Sequence, residues 1–324
     1  MPVAGKDDCA KVAAMTAPYL SLDPLVPWRQ LPRPIAWDQV FGRDAPLELE
    51  IGCGNGEVLT RRAGERPGVN LVGLDVDWVS ARRALRRINL AGLGNAVVVQ
   101  TEAALGLERL FTPQSLAGVW CLFPRPWPRP CDAHHRLFSN RFLRLLNSRL
   151  APEATCRLVT DFKPFADWVG GQVPGSGLEA AWRDIPPTVN SKYERKWQGQ
   201  GQQVFYELTL VKAEHQPWPN PEEPVLHYPH FESMDPEALT TWEDWGEISV
   251  LCKDVLYDRE ARRALLRMVV LEDHLEQAFY LELMPKPQGG HLLRPAPGCG
   301  VLPSLGVQRA LELTAQRLSA NQPT

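Results

Sequence analysis

The chain lacks most of the features that would assign it to a membrane, a secreted disulfide scaffold or a zinc module. No apolar run approaches the roughly 20 residues needed to span a bilayer. The N-terminus, MPVAGKDDCAKVAAM, carries charges where the apolar core of a secretory signal would lie. The seven cysteines, at positions 9, 53, 121, 131, 156, 252 and 299, are odd in number, and no two form a C-x-x-C pair. That scatter argues against a disulfide framework and a metal site, and for reduced thiols in a cytoplasm. Positive charge is not in excess either: the net charge of −3 speaks, taken whole, against a nucleic-acid partner.

The charge is unevenly divided, however. Residues 1–213 hold 26 Lys+Arg against 21 Asp+Glu, whereas residues 214–324 hold 9 against 17. A local field can favour phosphate even when the total does not. At 324 residues the chain is long enough for one large domain or two moderate ones.

The most informative stretch is LELEIGCGNGEVL, Leu47 to Leu59. Leu47, Leu49 and Ile51 alternate with Glu48 and Glu50 as in a strand, and Gly52, Gly54 and Gly56 then turn the chain into an Arg-bearing helical run. Such a turn brings backbone N–H groups close to a ligand. The next apolar strand, Asn70 to Asp75, ends in an acid 23 residues after Gly52, the spacing at which a carboxylate reaches ribose hydroxyls. A dinucleotide site would have its third glycine at the sixth position, where this chain has Glu57. The acidic Glu50 before the turn suits the cationic S-adenosylmethionine better than a pyrophosphate, so a nicotinamide enzyme is the weaker reading.

Strand-like and helix-like segments alternate from Ala36 to Gly170, with helices expected at 36–41, 78–90, 103–110, 134–150 and 164–170. A last strand follows at Val204 to Lys212. This pattern predicts an α/β fold: a doubly wound, mostly parallel sheet of Rossmann-like methyltransferase type, with ligands at the C-terminal strand ends. Residues 1–34, proline-bearing and without periodicity, read as an extended or partly disordered arm; 35–213 read as the sheet domain. HQPWPNPEEP, with four prolines, places a linker at 214–224. Residues 225–324 read as a small acidic α+β domain: a strand over 248–255, a helix N-capped by Asp258 and running through His274, a hairpin around Gln288–Gly290, and a final helix striped by Val307, Leu311, Thr314 and Leu318.

CLFPRPWPRPCDAHHRLF, Cys121 to Phe138, is the second informative stretch. Prolines at 124, 126, 128 and 130 stiffen it into a ribbon bearing Trp127, whose face suits a base, and Arg125 and Arg129, which suit phosphate or base edges. With these residues the chain resembles the bacterial tRNA (guanine-N7)-methyltransferases, which modify a guanine in the variable loop. That family carries E-I-G-x-G-x-G, a G-I-E/D-V strand, F-P-D-P-W-x-K followed by H-H/N-K-R-R, a T-D, and a late T-K-F-E. Here stand EIGCGNG at 50–56, GLDV at 73–76, FPRPWPR at 123–129, HHRL at 134–137, TD at 160–161 and SKYE at 191–194.

The resemblance implies S-adenosylmethionine as methyl donor, contacted by Glu50, Asp75 and Glu102, and tRNA as partner. It further implies substrate contacts by Trp127, Arg129, Asp161, Ser191, Lys192, Tyr193 and Glu194. Plain structural roles compete for several: helix caps for Glu102 and Asp161, a solvated loop for Lys192 and Glu194. Arg125 occupies the catalytic-loop position where the family has aspartate, which turns an attraction for the methylated, cationic guanine into a repulsion. A non-catalytic or weakly active tRNA-binding adaptor is therefore the alternative function. No membrane contact is expected. The acidic C-terminal domain is expected to meet a protein partner or the catalytic domain, and the protein to be a monomer or homodimer.

Overall fold

The computed structural model describes residues 21–232, 236–273 and 275–320. They form two compact units, one of residues up to Pro27 with Arg33–Pro219, the other of Trp28–Pro32 with residues from Asn220 onward.

The first unit is a seven-stranded sheet. In chain order its elements are α1 (Trp37–Phe41), β1 (Leu47–Ile51), α2 (Glu57–Glu65), β2 (Asn70–Asp75), α3 (Trp78–Leu90), β3 (Ala96–Gln100), α4 (Ala103–Leu110) and β4 (Leu116–Leu122). There follow α5 (Asn140–Arg149), β5 (Leu150–Thr160), α6 (Lys163–Gln172), β6 (Leu178–Ile185), α7 (Lys192–Gln198) and β7 (Phe205–Lys212). The strand order is β3-β2-β1-β4-β5-β7-β6. β1 to β5 run parallel, and β7 enters antiparallel between β5 and β6. The order reverses beside β1, so the β1, β2 and β4 ends form the crevice in which such sheets bind ligands. Central strands read as continuous apolar runs because helices cover both faces: Leu49, Val72, Val98 and Val119 are all buried.

Several expectations change here. The arm is docked over part of its length: Pro24 and Val26 exchange backbone hydrogen bonds with Val98 of β3 at 2.7 and 2.9 Å. Residues 1–20 lie outside the described residues. The helix expected from His134 begins only at Asn140, where the Ser139 side chain accepts from the Phe142 N–H; the preceding prolines and histidines form a short 3-10 turn. β6 and α7 were not foreseen. β6 buries only its end residues, so it lacks an apolar stripe.

The linker is fixed where it leaves β7. Asn147 binds the Glu214 carbonyl at 2.8 Å, and Arg149, fully buried, donates to the carbonyls of Leu107, Glu108 and Trp218. The backbone oxygens satisfy the guanidinium, yet burial still brings its pKa down to about 10, with Glu108 opposing the shift.

The second unit is a six-stranded antiparallel sheet, β8 (His230–Phe231), β13 (His291–Pro295), β12 (Leu275–Pro285), β11 (Arg263–Glu272), β10 (Ile248–Asp258) and β9 (Trp242–Asp244) in spatial order. Helix α8 (Leu305–Ala320) packs on it through Val307, Ala310, Leu311 and Leu318. The helix expected from Asp258 is instead β11. Ala264, Leu266, Met268 and Val270 are buried in period two, and cross-strand pairing with β10 and β12 overrides the helical reading of that run. His274 lies outside the described residues. The hairpin around Gly289 and the final helix are present as expected.

Candidate functional site

The glycine turn is built by backbone geometry. Gly52, Gly54 and Gly56 have φ of 71°, 56° and 71°, the left-handed region that side chains resist. The N–H groups of Gly52 and Cys53 both donate to the Leu74 carbonyl, at 2.8 and 3.0 Å, which ties the turn to the end of β2. A Cβ on Gly56 would lie 2.6 Å from the Cβ of Ala84, so this glycine lets α2 and α3 approach. At Gly52 and Gly54 an added Cβ would meet open space. Those two glycines face the crevice; Gly56 faces the packing.

Asp75, at the end of β2, accepts from the Gly54 N–H at 2.7 Å and the Asp77 N–H at 2.9 Å. It thus shapes the turn while still presenting carboxylate lone pairs. Glu50, one residue from the end of β1, is buried, and its Oε2 has no hydrogen-bond partner. Burial pushes its carboxyl up to about 8; Arg62 and Arg61 oppose the shift and Asp75 adds to it.

Glu50, Gly52 and Gly54 line an open crevice with Ser80, Arg83, Phe123, Ser191, Lys192 and Tyr193. Glycine turn and SKYE segment, some 140 positions apart in the sequence, therefore meet. Within SKYE the roles divide. Ser191 caps α7 by accepting from the Glu194 N–H at 3.1 Å. Glu194, only 2% exposed, accepts from the N–H groups of Thr188 and Val189, at 2.8 and 2.9 Å, and of Asn190. It is a buried organiser of the 188–190 loop, neither a solvated charge nor a crevice-lining group. Lys192 and Tyr193 are exposed and line the crevice.

Other expected site residues lie outside that lining. The Glu102 carboxylate accepts from the Leu105 N–H at 2.9 Å and so caps α4. Asp161, half-buried beyond β5, is raised by that burial, with Lys196 opposing; α6 has no side-chain cap, so the capping role for Asp161 is not realised. Arg125 and Arg129 stand exposed on the proline ribbon. Trp127, at φ 43°, sets its ring 4.9 Å from that of His135.

Three further arginines, to which the sequence assigns no role, hold these parts in place. Arg136 donates to the carbonyls of Pro126 and Trp127 at 3.0 Å and pins the ribbon's turn. Arg61 reaches the carbonyls of Val189 and Asn190. Arg195 pairs with Glu57 at 2.7 Å and so ties α7 to the first turn of α2. Their positioning roles are not legible in the sequence, because the partners of Arg136 and Arg61 are backbone carbonyls and that of Arg195, Glu57, lies 138 residues away. The S-x-x-E of Ser191 and Glu194, by contrast, is a readable capping signature.

A family profile described as "Putative methyltransferase" matches residues 44–207, half of the chain. A tRNA (guanine-N(7)-)-methyltransferase of Chlorobium phaeobacteroides is 36% identical over 181 residues, covering 56% of this chain and 89% of that protein. The chain belongs to the tRNA (guanine-N7)-methyltransferase family. Similar family members from Thermotoga maritima and Thermus thermophilus are 33% and 31% identical over 175 and 198 residues; the matches span 53% and 60% of this chain but only 56% and 64% of those proteins. The family match ends before the second unit begins. The methyl donor of this methyltransferase is S-adenosylmethionine, and charged groups on the crevice lining suit it. An orphaned, buried carboxyl oxygen on Glu50 meets the need of a cation, while Arg83 and Lys192 on the same lining suit an α-carboxylate. The non-catalytic alternative raised by Arg125 gains no support from these relatives.

Proposed function

We propose that the protein transfers a methyl group from S-adenosylmethionine to N7 of a guanine in tRNA, in the cytoplasm. The observation that carries this reading is the meeting of Glu50, the glycine turn and the SKYE segment around one crevice. When bound, the donor supplies an electrophilic methyl on a sulfonium. Guanine N7 attacks through an in-plane lone pair, so no residue has to remove a proton and the chain's task is alignment.

Gly52 and Gly54 give the donor room, Asp75 holds the turn and faces ribose, and Glu50 balances positive charge. Lys192 and Tyr193 close the crevice on the substrate side, with Trp127, Arg129 and Asp161 placing the guanine and its strand. Ser191 and Glu194 act by shaping the loop and helix that carry Lys192 and Tyr193. Glu102 fixes the start of α4 beside the adenine side. Arg125, exposed and without a partner among the described residues, turns to solvent or phosphate and not to the cationic product.

Full-length protein incubated with labelled donor and unmodified bacterial tRNA is expected to yield N7-methylguanosine on nucleoside mass spectrometry. Label on another nucleoside, or on none, overturns the assignment. Arg125→Asp, which restores the acid at that position, is expected to raise turnover with little change in donor affinity.

A further inference from the structure

A second cavity, of about 320 Å³, opens on the sheet beside the donor crevice and shares Val58 and Leu122 with it. Its walls carry Arg61 and Arg62 of α2, Trp120 of β4 and Arg157 of β5; Glu65 is the only carboxylate on the lining. Strand register explains the convergence, since Glu50, Trp120 and Arg157 are lateral neighbours on β1, β4 and β5. The guanidinium carbon of Arg62 lies 3.3 Å from the centre of the Trp120 ring, and that of Arg157 lies 5.2 Å from it.

The charges around this ring are not balanced. Glu48 is shared by Arg62, at 2.6 Å, and Arg66; Glu207 is shared by Arg157, at 2.5 Å, and Arg183. Four guanidiniums thus face these two carboxylates and a third, Glu50, the neighbour of Trp120 across the β1–β4 pairing. Arg61 adds a fifth whose bonds go to backbone carbonyls, against Glu65 alone. The Nε of Arg62 is buried and has no partner. A buried cationic donor without an acceptor is unfavourable, and the excess of guanidiniums on the cavity wall suits a multi-oxygen anion, because guanidinium geometry matches phosphate. Trp120 already has a guanidinium over its ring, so the cavity is suited to an anion and not to a stacked base.

We infer that this arginine cavity binds a backbone phosphate of the substrate RNA, beside the guanine held at the donor crevice. The inference rests on the proposed function for the identity of the RNA. Strands lie about 4.8 Å apart, so β5 runs roughly 10 Å from β1, within reach of a phosphate flanking a guanine at that crevice.

The test measures tRNA affinity of the full-length protein against salt concentration, with donor affinity by calorimetry in parallel. Arg157→Gln, and independently Arg62→Gln, is expected to weaken tRNA binding about fivefold near 0.1 M salt and to reduce the log–log salt slope by about 0.7–0.9, one phosphate contact. Donor affinity is expected to stay unchanged in Arg157→Gln, and Arg157→Lys to recover most of the slope; in Arg62→Gln donor affinity is expected to fall somewhat, because Glu50 loses a neighbouring positive charge. A salt slope equal to wild type in both Gln variants overturns the inference, as does a loss of donor affinity in Arg157→Gln parallel to its loss of tRNA affinity, which would mark a packing effect. If wild-type protein methylates tRNA at guanine N7 and the slope does not move, only the cavity assignment falls. If the slope moves but no N7-methylguanosine forms, the cavity stands and the reaction reading falls.

Discussion

The Gly54 N–H donates to Asp75 Oδ2 at 2.7 Å, so the acid that ends the second strand holds the turn that ends the first. Asp75→Asn keeps one acceptor and puts an amide against either Gly54 or Asp77. We expect a stability loss of about 1–3 kcal/mol from the broken pairing and a donor affinity reduced by at least tenfold. Thermal unfolding and calorimetry check the two effects separately.

Glu50 makes both stability and donor binding depend on pH. Its folded carboxyl sits at about 8 against an ordinary 4.5. Below 4.5 folded and unfolded chains both hold the proton; between 4.5 and 8 only the folded chain does. Stability of the free protein therefore falls as pH rises through that window, by about 5 kcal/mol in all. Donor binding has the opposite sign. A cationic ligand favours the ionised carboxylate, so affinity rises as pH climbs toward 8 and binding releases a proton. Glu50→Gln is expected to flatten the stability slope and to abolish the buffer-dependent proton release seen in calorimetry.

The glycines of the turn separate by environment. Gly56→Ala adds a Cβ 2.6 Å from Ala84 at a φ of 71°, and is expected to cost about 3 kcal/mol in urea unfolding. Gly54→Ala meets open space, so its loss of stability is limited to backbone strain of about 1 kcal/mol. Its main effect is expected on donor affinity, because the methyl group projects where the ligand lies.

Arg136→Ala releases the carbonyls of Pro126 and Trp127. A raised KM for tRNA with unchanged donor affinity is the expected signature, read from steady-state methylation and calorimetry. Equal losses in both would mean that the ribbon also shapes the donor crevice.

Ending the chain after Ala213 strips Asn147 and Arg149 of their bonds to Glu214 and Trp218, whereas ending it after Pro219 keeps them. The shorter chain is expected to melt several degrees below the longer, because a buried guanidinium loses an acceptor. Comparing the longer chain with full-length protein in the methylation assay shows what the second unit contributes.

Local signals carried much of the design. Alternating Leu47, Leu49 and Ile51, the glycine spacing, the acid at 75 and the proline ribbon each depend on neighbours within a few residues, and all were legible without coordinates. Where a run was equally compatible with two periods, as over 258–274, pairing partners on β10 and β12 decided for strand, and those partners are distant in sequence. β6 went unread because it buries only its ends.

The sequence alone determined the strand–turn–helix at Leu47–Leu59, the family resemblance and the chemistry of the donor, since these rest on short-range pattern and residue type. Tertiary structure alone decided that SKYE meets the glycine turn, that Glu194 and Glu102 spend their carboxylates on backbone N–H groups, and that Arg62 and Arg157 converge on Trp120. Those outcomes follow from which strands become neighbours and which polar groups are buried with them, and long-range packing sets both.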